Sequence, residues 1–457
     1  MSKEATNSSS GSGHGSDRPT LFEVPPPPEP APAPTGAPRF RRAERFQVVM
    51  RSASLDALPA EDHPARIVWE YVEGLDLSRL YDAIRAVEGR AGRDPIDPRI
   101  LMALWLYATL DGVGAAREVD RLCDAHVAYQ WICGGVSVNY HTLSDFRTAN
   151  VQLLDDLLTK SVAGLMHEGL VTMNRVAQDG MRVRANAGNS SFRRGKTLQR
   201  LELEARRQVR RLRRQLQDDP GAANKRQKAA RRRAARERSE RIARARKEFE
   251  KVEKTKRPDK KDNARASTTD PQARFMKMPD GGMRPAVNVQ FATDTAGGII
   301  TGADVGNVGG DMGQMAPMIE QHKDRYGGPP GQMLVDGGFA CRDDIDSAGT
   351  AEPAIAVYAP VQKSRKNQGE NCYERQPADT DAVAEWRRRM ATEEAKEIYK
   401  QRAATAEWTN AMARNRGMYQ FLVRGLEKVK AVVLWFALAH NLIRAASLRR
   451  RMVAMAG

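Results

Sequence analysis

Val176-Ala-Gln-Asp-Gly180 and Leu334-Val-Asp-Gly-Gly-Phe339 are the stretches on which the fold turns. In each, an apolar run arrives at an Asp followed by Gly, the pattern of a strand that finishes at an exposed acid with a turn behind it. A third acid, Glu407, lies on a predicted helix that also carries Tyr399, Arg402 and Arg414. Asp179, Asp336 and Glu407 thus sit where they can be aimed at one point. Hard divalent cations that move phosphoryl groups want carboxylate oxygens, and a pair of such ions needs a carboxylate able to bridge them.

The residues between the acids supply the sheet. Leu170 to Asn186 alternates as a strand with Asp179 near its centre. Pro285 to Thr293 and Gly298 to Val305 read as two more strands joined by the hairpin turn Asp294-Thr-Ala-Gly297. Asp311 to Tyr326 has Met312, Met315, Met318 and Ile319 at helical spacing, with Asp311 as the expected N-cap. Met333 to Asp336 and Ala354 to Ala359 complete the strands, and Asp381 to Arg414 is mainly helix. The order β-β-β-α-β-α-β-α is that of an RNase H-like mixed sheet in an α/β protein. Open α/β sheets place their sites at strand ends, where these acids fall.

An insertion from about Phe192 to Ala264 separates the first strand from the second. Leu198, Leu201, Ala205, Val209, Leu212 and Leu216 follow three-four spacing, and Asp218-Asp-Pro-Gly221 breaks the helix. A second helix follows, with a weak stripe at Ala230, Ala234, Ile242, Ala245, Phe249 and Val252 and basic residues, including Arg231, Arg232 and Arg233, on nearly every side. This predicts a basic helical hairpin. Its excess positive charge repels itself without a counter-charge, which favours contact with DNA phosphates over a merely solvated arm.

Upstream, residues 60–168 are predicted to form an all-helical domain. Leu75, Leu77, Leu80, Ile84 and Val87 mark one helix, Ile100 to Leu110 another, and Leu153 to Met166 a long third. Residues 1–42 are Ser/Gly-rich and then Pro-rich, too poor in apolar side chains to offset the entropy of ordering, and read as a disordered tail.

The net charge of +17 over 457 residues favours a polyanionic partner. Cys123, Cys133, Cys341 and Cys372 form no C-x-x-C pair and have no His at zinc spacing, so free thiols in a reducing cytoplasm are expected. The apolar run Ala431 to Ala439 is far short of a membrane span, and no membrane partner is expected. No P-loop, G-x-S-x-G or H-E-x-x-H motif is present, which argues against ATP-driven, serine-hydrolase and zincin chemistry.

Four segments, AQDGMRVRANAG (177–188), PAVNVQFATD (285–294), LVDGGFA (334–340) and YKQRAATAEWTNAMARNRGMYQFLVRG (399–425), together resemble the catalytic core of DDE transposases of bacterial insertion sequences. The resemblance is closest to the branch with a Tyr-Arg-Glu signature in its last active-site helix. Tyr399, Arg402, Glu407 and Arg414 follow that order; after Glu407, relatives commonly place Pro and then Phe-Gly, where this chain has Trp408, Asn410 and Ala411. The resemblance implies terminal-repeat DNA binding by the helical domain and a catalytic domain at 169–446 interrupted by the 192–264 insertion. It implies two Mg²⁺ ions, replaceable by Mn²⁺, on Asp179, Asp336 and Glu407, with Asp179 bridging. Tyr399, Arg402 and Arg414 would contact DNA, and Arg424 is a further candidate. The expected reaction is strand cleavage at the element ends and transfer of the 3′-hydroxyl to target DNA by a homodimer or higher oligomer in the bacterial cytoplasm, at the nucleoid. A catalytically inactive DNA-binding relative and a nuclease without strand transfer are the alternatives.

Overall fold

Pro64 and Pro98 start helices where the chain has a cap ready. The computed structural model describes residues 46, 48, 54–86, 94–218, 225–362 and 371–456. The expected tail and Val87 lie outside these residues. His63 accepts the Ala65 amide at 3.1 Å and opens α1 (Pro64–Glu73); Asp97 accepts the Arg99 amide at 2.8 Å and opens α3 (Pro98–Leu110). Among the described residues between them only Ser78–Asp82 (α2) is helical, so the stripe from Leu75 to Ile84 makes a single turn instead of the expected helix. α4 (Ala116–Ala125), α5 (Val127–Cys133), α6 (Tyr140–Ala149) and α7 (Val151–His167) follow. From Ile100 to Ala108 every residue of α3 is buried. A helix apolar all round belongs in the middle of a core.

The sheet begins with β1 (Arg175–Arg184). Short β2 (Phe192–Arg193) and β3 (Ala266–Ser267) pair with each other and bracket α8 (Gly195–Asp218) and α9 (Lys225–Lys254). Leu198, Ala205, Ala235, Ile242 and Ala245 are buried along these two helices. Ala230 and Ala234, expected in the stripe, are exposed. Glu202 is buried instead, because Arg206 and Arg246 grip its two oxygens at 2.5 and 2.7 Å.

β4 (Arg274–Lys277), which the alternation pattern did not reveal, and β6 (Ile300–Gly306) share one edge of β5 (Met283–Asp294); β1 lies antiparallel on its other edge. β7 (Gln332–Leu334) and β8 (Ala356–Tyr358) extend the sheet parallel to β1, giving the order β4-β5-β1-β7-β8. This is a mixed α/β arrangement consistent with an RNase H-like core. The β5–β6 turn forms as expected: Asp294 Oδ2 accepts the amides of Ala296 at 3.1 Å and Gly297 at 2.8 Å.

Asp311 is not a helix cap. α10 runs Met315–Tyr326 from Gln314, while Asp311 turns back under the sheet to accept Asn288 and Gln290, each at 2.8 Å. α11 (Arg342–Gly349), α12 (Asp381–Met390), α13 (Glu393–Arg402), a π turn (Ala403–Glu407) and α14 (Trp408–Asn415) precede the closing α15 (Leu426–Ala456). By length and composition Leu426–Met455 is apolar enough to cross a membrane, yet 67% of its apolar stretch is buried inside the fold, against α7, α3, α6 and β6. A core helix passes the same test, and one continuous apolar cluster runs from α1 through the sheet to α15.

Two histidines are sealed in this core. His322 Nδ1 donates to the Met318 carbonyl at 2.7 Å and His440 Nε2 to that of Gly298 at 3.0 Å; burial holds both rings down at about 4. The unfolded chain would bind these protons near pH 6.5 and the folded one only near 4. The stability they leave intact above pH 6.5 is therefore lost as pH falls from 6.5 towards 4, on the order of 3 kcal/mol per histidine. Urea unfolding should show a midpoint that drops steeply across this window, and His322→Gln should flatten part of the drop.

Candidate active site

Asp179 sits in the middle of β1, not at its end. The Asp-Gly pair therefore does not mark a turn here: Gly180 continues the strand, paired with Gln290. Its need for glycine comes from the opposite face, where a Cβ would stand 2.0 Å from Asp311 Oδ1. The second pair behaves as expected. β7 ends at Leu334, and Asp336 Oδ1 accepts the Gly338 amide at 2.7 Å in the following turn.

The β1–β7 register pairs Ala177 with Leu334. Two residues on are Asp179, still within β1, and Asp336, in the turn just past the end of β7. Their closeness is felt electrostatically. Burial pushes the Asp179 carboxyl up to about 6; Arg402 opposes this, while the Asp336 and Asp311 charges add to it.

Glu407 reaches this place through the π turn. Five residues of α-helix would set Arg402 and Glu407 about 140° apart around the axis. A π turn closes on i→i+5 and brings them into line. Arg402 Nη2 donates to Glu407 Oε1 at 3.1 Å, Nη1 lies 3.7 Å from Asp179 Oδ2, and Nε donates to the Tyr399 hydroxyl at 3.2 Å. Burial works against the Arg402 cation, but Tyr399, Asp179 and Asp336 outweigh it and raise its proton affinity. Burial raises the Tyr399 phenol, with Asp336 and Glu407 adding to the shift. Tyr399, Arg402 and the three acids thus share one electrostatic neighbourhood. Arg414 lies seven residues, about two helical turns, beyond Glu407 and so on its side of the helix.

Asn410 belongs to the same group and was not singled out as a site residue from sequence. Its Nδ2 donates to Asp179 Oδ2 at 3.0 Å, with the residue only 4% exposed. Neighbouring Trp408 packs edge-on to His440 at 5.2 Å. The signal available was the polar Asn410 where the resembled family commonly has an apolar residue.

Residues 362–446 match the family described as Transposase DDE domain, and residues 53–149 match the Transposase domain (DUF772). The chain is a DDE transposase. It is accordingly an enzyme of the polynucleotidyl-transferase type. No curated protein and no solved structure matches it. The first match covers Tyr399, Arg402, Glu407, Asn410 and Arg414; Asp179 and Asp336 lie outside both.

DDE transposase domains generally use a divalent metal, and the donor set of this transposase suits one. Asp179 and Asp336 offer hard oxygens near enough for their charges to interact, and the proton affinity that Asp336 helps to raise on Asp179 is the repulsion a shared cation would relieve. Among the described residues no three His, Cys, Asp or Glu side chains are gathered closely enough to hold an ion as they stand. Between Asp179 and Glu407 stands the Arg402 guanidinium, so an ion held by both carboxylates would require Arg402 to release them. Arg231, Arg232 and Arg233 of the transposase are exposed on α9 and make no ion pair within the described residues.

Proposed function

We propose that this transposase binds the terminal inverted repeats of its element, cleaves a strand at each end and transfers the freed 3′-hydroxyl to target DNA. The observation that carries the proposal is the bridge from Asp179 through Arg402 to Glu407, which joins the first acid to the third across 228 residues of chain. Asp179, Asp336 and Glu407 would hold Mg²⁺ or Mn²⁺. A metal held there would supply Lewis acidity at the scissile phosphate and would lower the pKa of the attacking water or 3′-hydroxyl.

The remaining duties fall to side chains. Arg402, once it leaves the carboxylates, presents a planar pair of donors suited to a phosphate, and Arg414 extends positive charge along the same helix face. Tyr399 orients Arg402 through its hydroxyl and offers a ring for stacking on a base. Asn410 holds one Asp179 oxygen in place. We assign end recognition to a helical domain at 60–168 and chemistry to 169–446, with the basic helical hairpin at 192–264 inserted in it. Pairing two ends calls for at least a dimer on DNA, and the reading places the protein in the cytoplasm, at the nucleoid.

Incubating the protein and Mg²⁺ with duplexes that carry the element ends tests the proposal. Nicked ends followed by products joined through the 3′-hydroxyl support it. Cutting without joining identifies a nuclease, and binding without cutting identifies a repressor. The arm has its own test: changing Arg231, Arg232 and Arg233 together to Gln should lower the slope of log affinity against log salt by about 2.7, at roughly 0.9 for each phosphate no longer neutralised. An unchanged slope removes the arm from the DNA interface.

A further inference from the structure

Arg147 and Arg416 face one cleft, and neither pairs with an acid among the described residues. Arg147, on α6, donates to the Gly114 carbonyl and lies 4.7 Å over the Trp105 ring, yet its Nε is buried without a partner. Arg416, just past α14, has Nη1 buried and equally unpartnered. Burial lowers the proton affinity of both, Arg147 to about 10. A guanidinium partly withdrawn from water, with a buried nitrogen unpartnered and no counter-charge, is costly, and two of them beside one cleft suit an anion.

The cleft continues. Arg147 also lines an adjoining groove walled by α4, α6 and the loop after Gly417, where Arg117, Arg424 and Lys428 form no ion pair among the described residues. Against these five cations the lining holds two acids, Glu118 and Asp145, and Glu118 is already paired with Arg121. The cations are strung out rather than convergent, which suits a repeating polyanion better than a single small one. Tyr419 and Leu422, 60% and 54% exposed, stand nearby on the same loop.

β1 ties this groove to the acids. The Arg184 amide donates to the Tyr419 carbonyl at 3.2 Å, and the Phe421 amide donates to that of Arg184 at 2.9 Å, so the loop is stitched to the end of the strand that carries Asp179. Five residues of strand span about 17 Å at roughly 3.3 Å each. That is about five base-pair steps of a duplex rising ~3.4 Å per step.

We infer that this groove seats the sugar-phosphate backbone of duplex DNA about five base pairs from the candidate active site, with Arg147, Arg416, Arg117, Arg424 and Lys428 meeting successive phosphates. The inference rests on the transposase reading of the site and names where its DNA lies.

The test compares the full-length protein with Arg117→Gln/Arg424→Gln/Lys428→Gln, with Arg416→Gln, and with Arg450→Gln/Arg451→Gln as a variant that loses charge elsewhere. Binding of an end-sequence duplex is followed by fluorescence anisotropy over a range of salt, with thermal unfolding as the check on folding. The triple variant should lose about 10- to 100-fold in affinity and about 2.7 in salt slope, and Arg416→Gln about 0.9, with unfolding unchanged. The distal pair should change neither by as much. A duplex that stops fewer than about five base pairs from the cleavage point should bind wild type and triple variant alike. Equal affinity and slope for wild type and triple variant on the long duplex overturn the inference, as does inorganic phosphate bound through Arg416 while duplex affinity stays unaltered. If wild type binds and cuts end DNA but the variants match it, the groove alone is wrong; if wild type binds no duplex, the proposed function falls and the groove with it.

Discussion

Asp179→Asn is expected to abolish strand cleavage, by about a thousandfold or more, while leaving end binding intact and making the metal-free protein more stable. The loss follows from removing a carboxylate proposed to hold the metal, which would supply several kcal/mol of transition-state stabilisation. The gain follows from burial. Asp179 is 17% exposed at its side chain, and its carboxyl is pushed up to about 6 from an ordinary 3.8. Between about pH 4 and pH 6 the folded chain holds a proton that the unfolded chain has released, so stability falls as pH rises through this window. Above pH 6 the full cost, on the order of 3 kcal/mol, is present. The Asn variant carries no such charge. Thermal unfolding in chelator at about pH 7.5 should show it a few degrees above wild type, with the two curves meeting near pH 4. Cleavage by Asp179→Asn at the wild-type rate would remove Asp179 from the chemistry.

Gly180→Ala is expected to cost about 3 kcal/mol or more and most of the cleavage activity, although it adds only a methyl group. That methyl would lie 2.0 Å from Asp311 Oδ1 and 2.6 Å from Gln290 Nε2. Asp311 cannot retreat cheaply: Asn288 and Gln290 hold one oxygen at 2.8 Å each, and Arg182 lies 3.5 Å from the other. Either those bonds break inside the protein or β1 shifts and carries Asp179 with it. Urea unfolding measures the loss. Gly180→Ala/Asp311→Ala should regain part of it, since the second change removes the obstacle, though it leaves Asn288 and Gln290 without their acceptor. A wild-type midpoint for the single variant would show that the strand absorbs the methyl.

Much of the sheet was legible because its signals are local. The two strand-like runs Pro285 to Thr293 and Gly298 to Val305 and the Asp294 turn between them depend on residues a few places apart, and the hairpin formed with those partners. The apolar spacing of Ile100 to Leu110 likewise announced α3. Where a residue's role lies with a distant segment, local pattern misled. Asp311 looked like a cap and became a support for β1; Gly180 looked like a turn and is the gap that Asp311 fills.

The sequence by itself determined the order of the elements, the candidate acids and the basic character of α8 and α9, since periodicity, turn chemistry and charge are properties of short stretches. Only the tertiary structure decided that the π turn swings Glu407 onto Arg402, that Asn410 reaches Asp179 across 231 residues, and that Arg147 and Arg416 share a cleft in which neither meets an acid among the described residues. Those facts depend on which distant surfaces meet. That is settled by burying one continuous core, which no single stretch of the chain encodes.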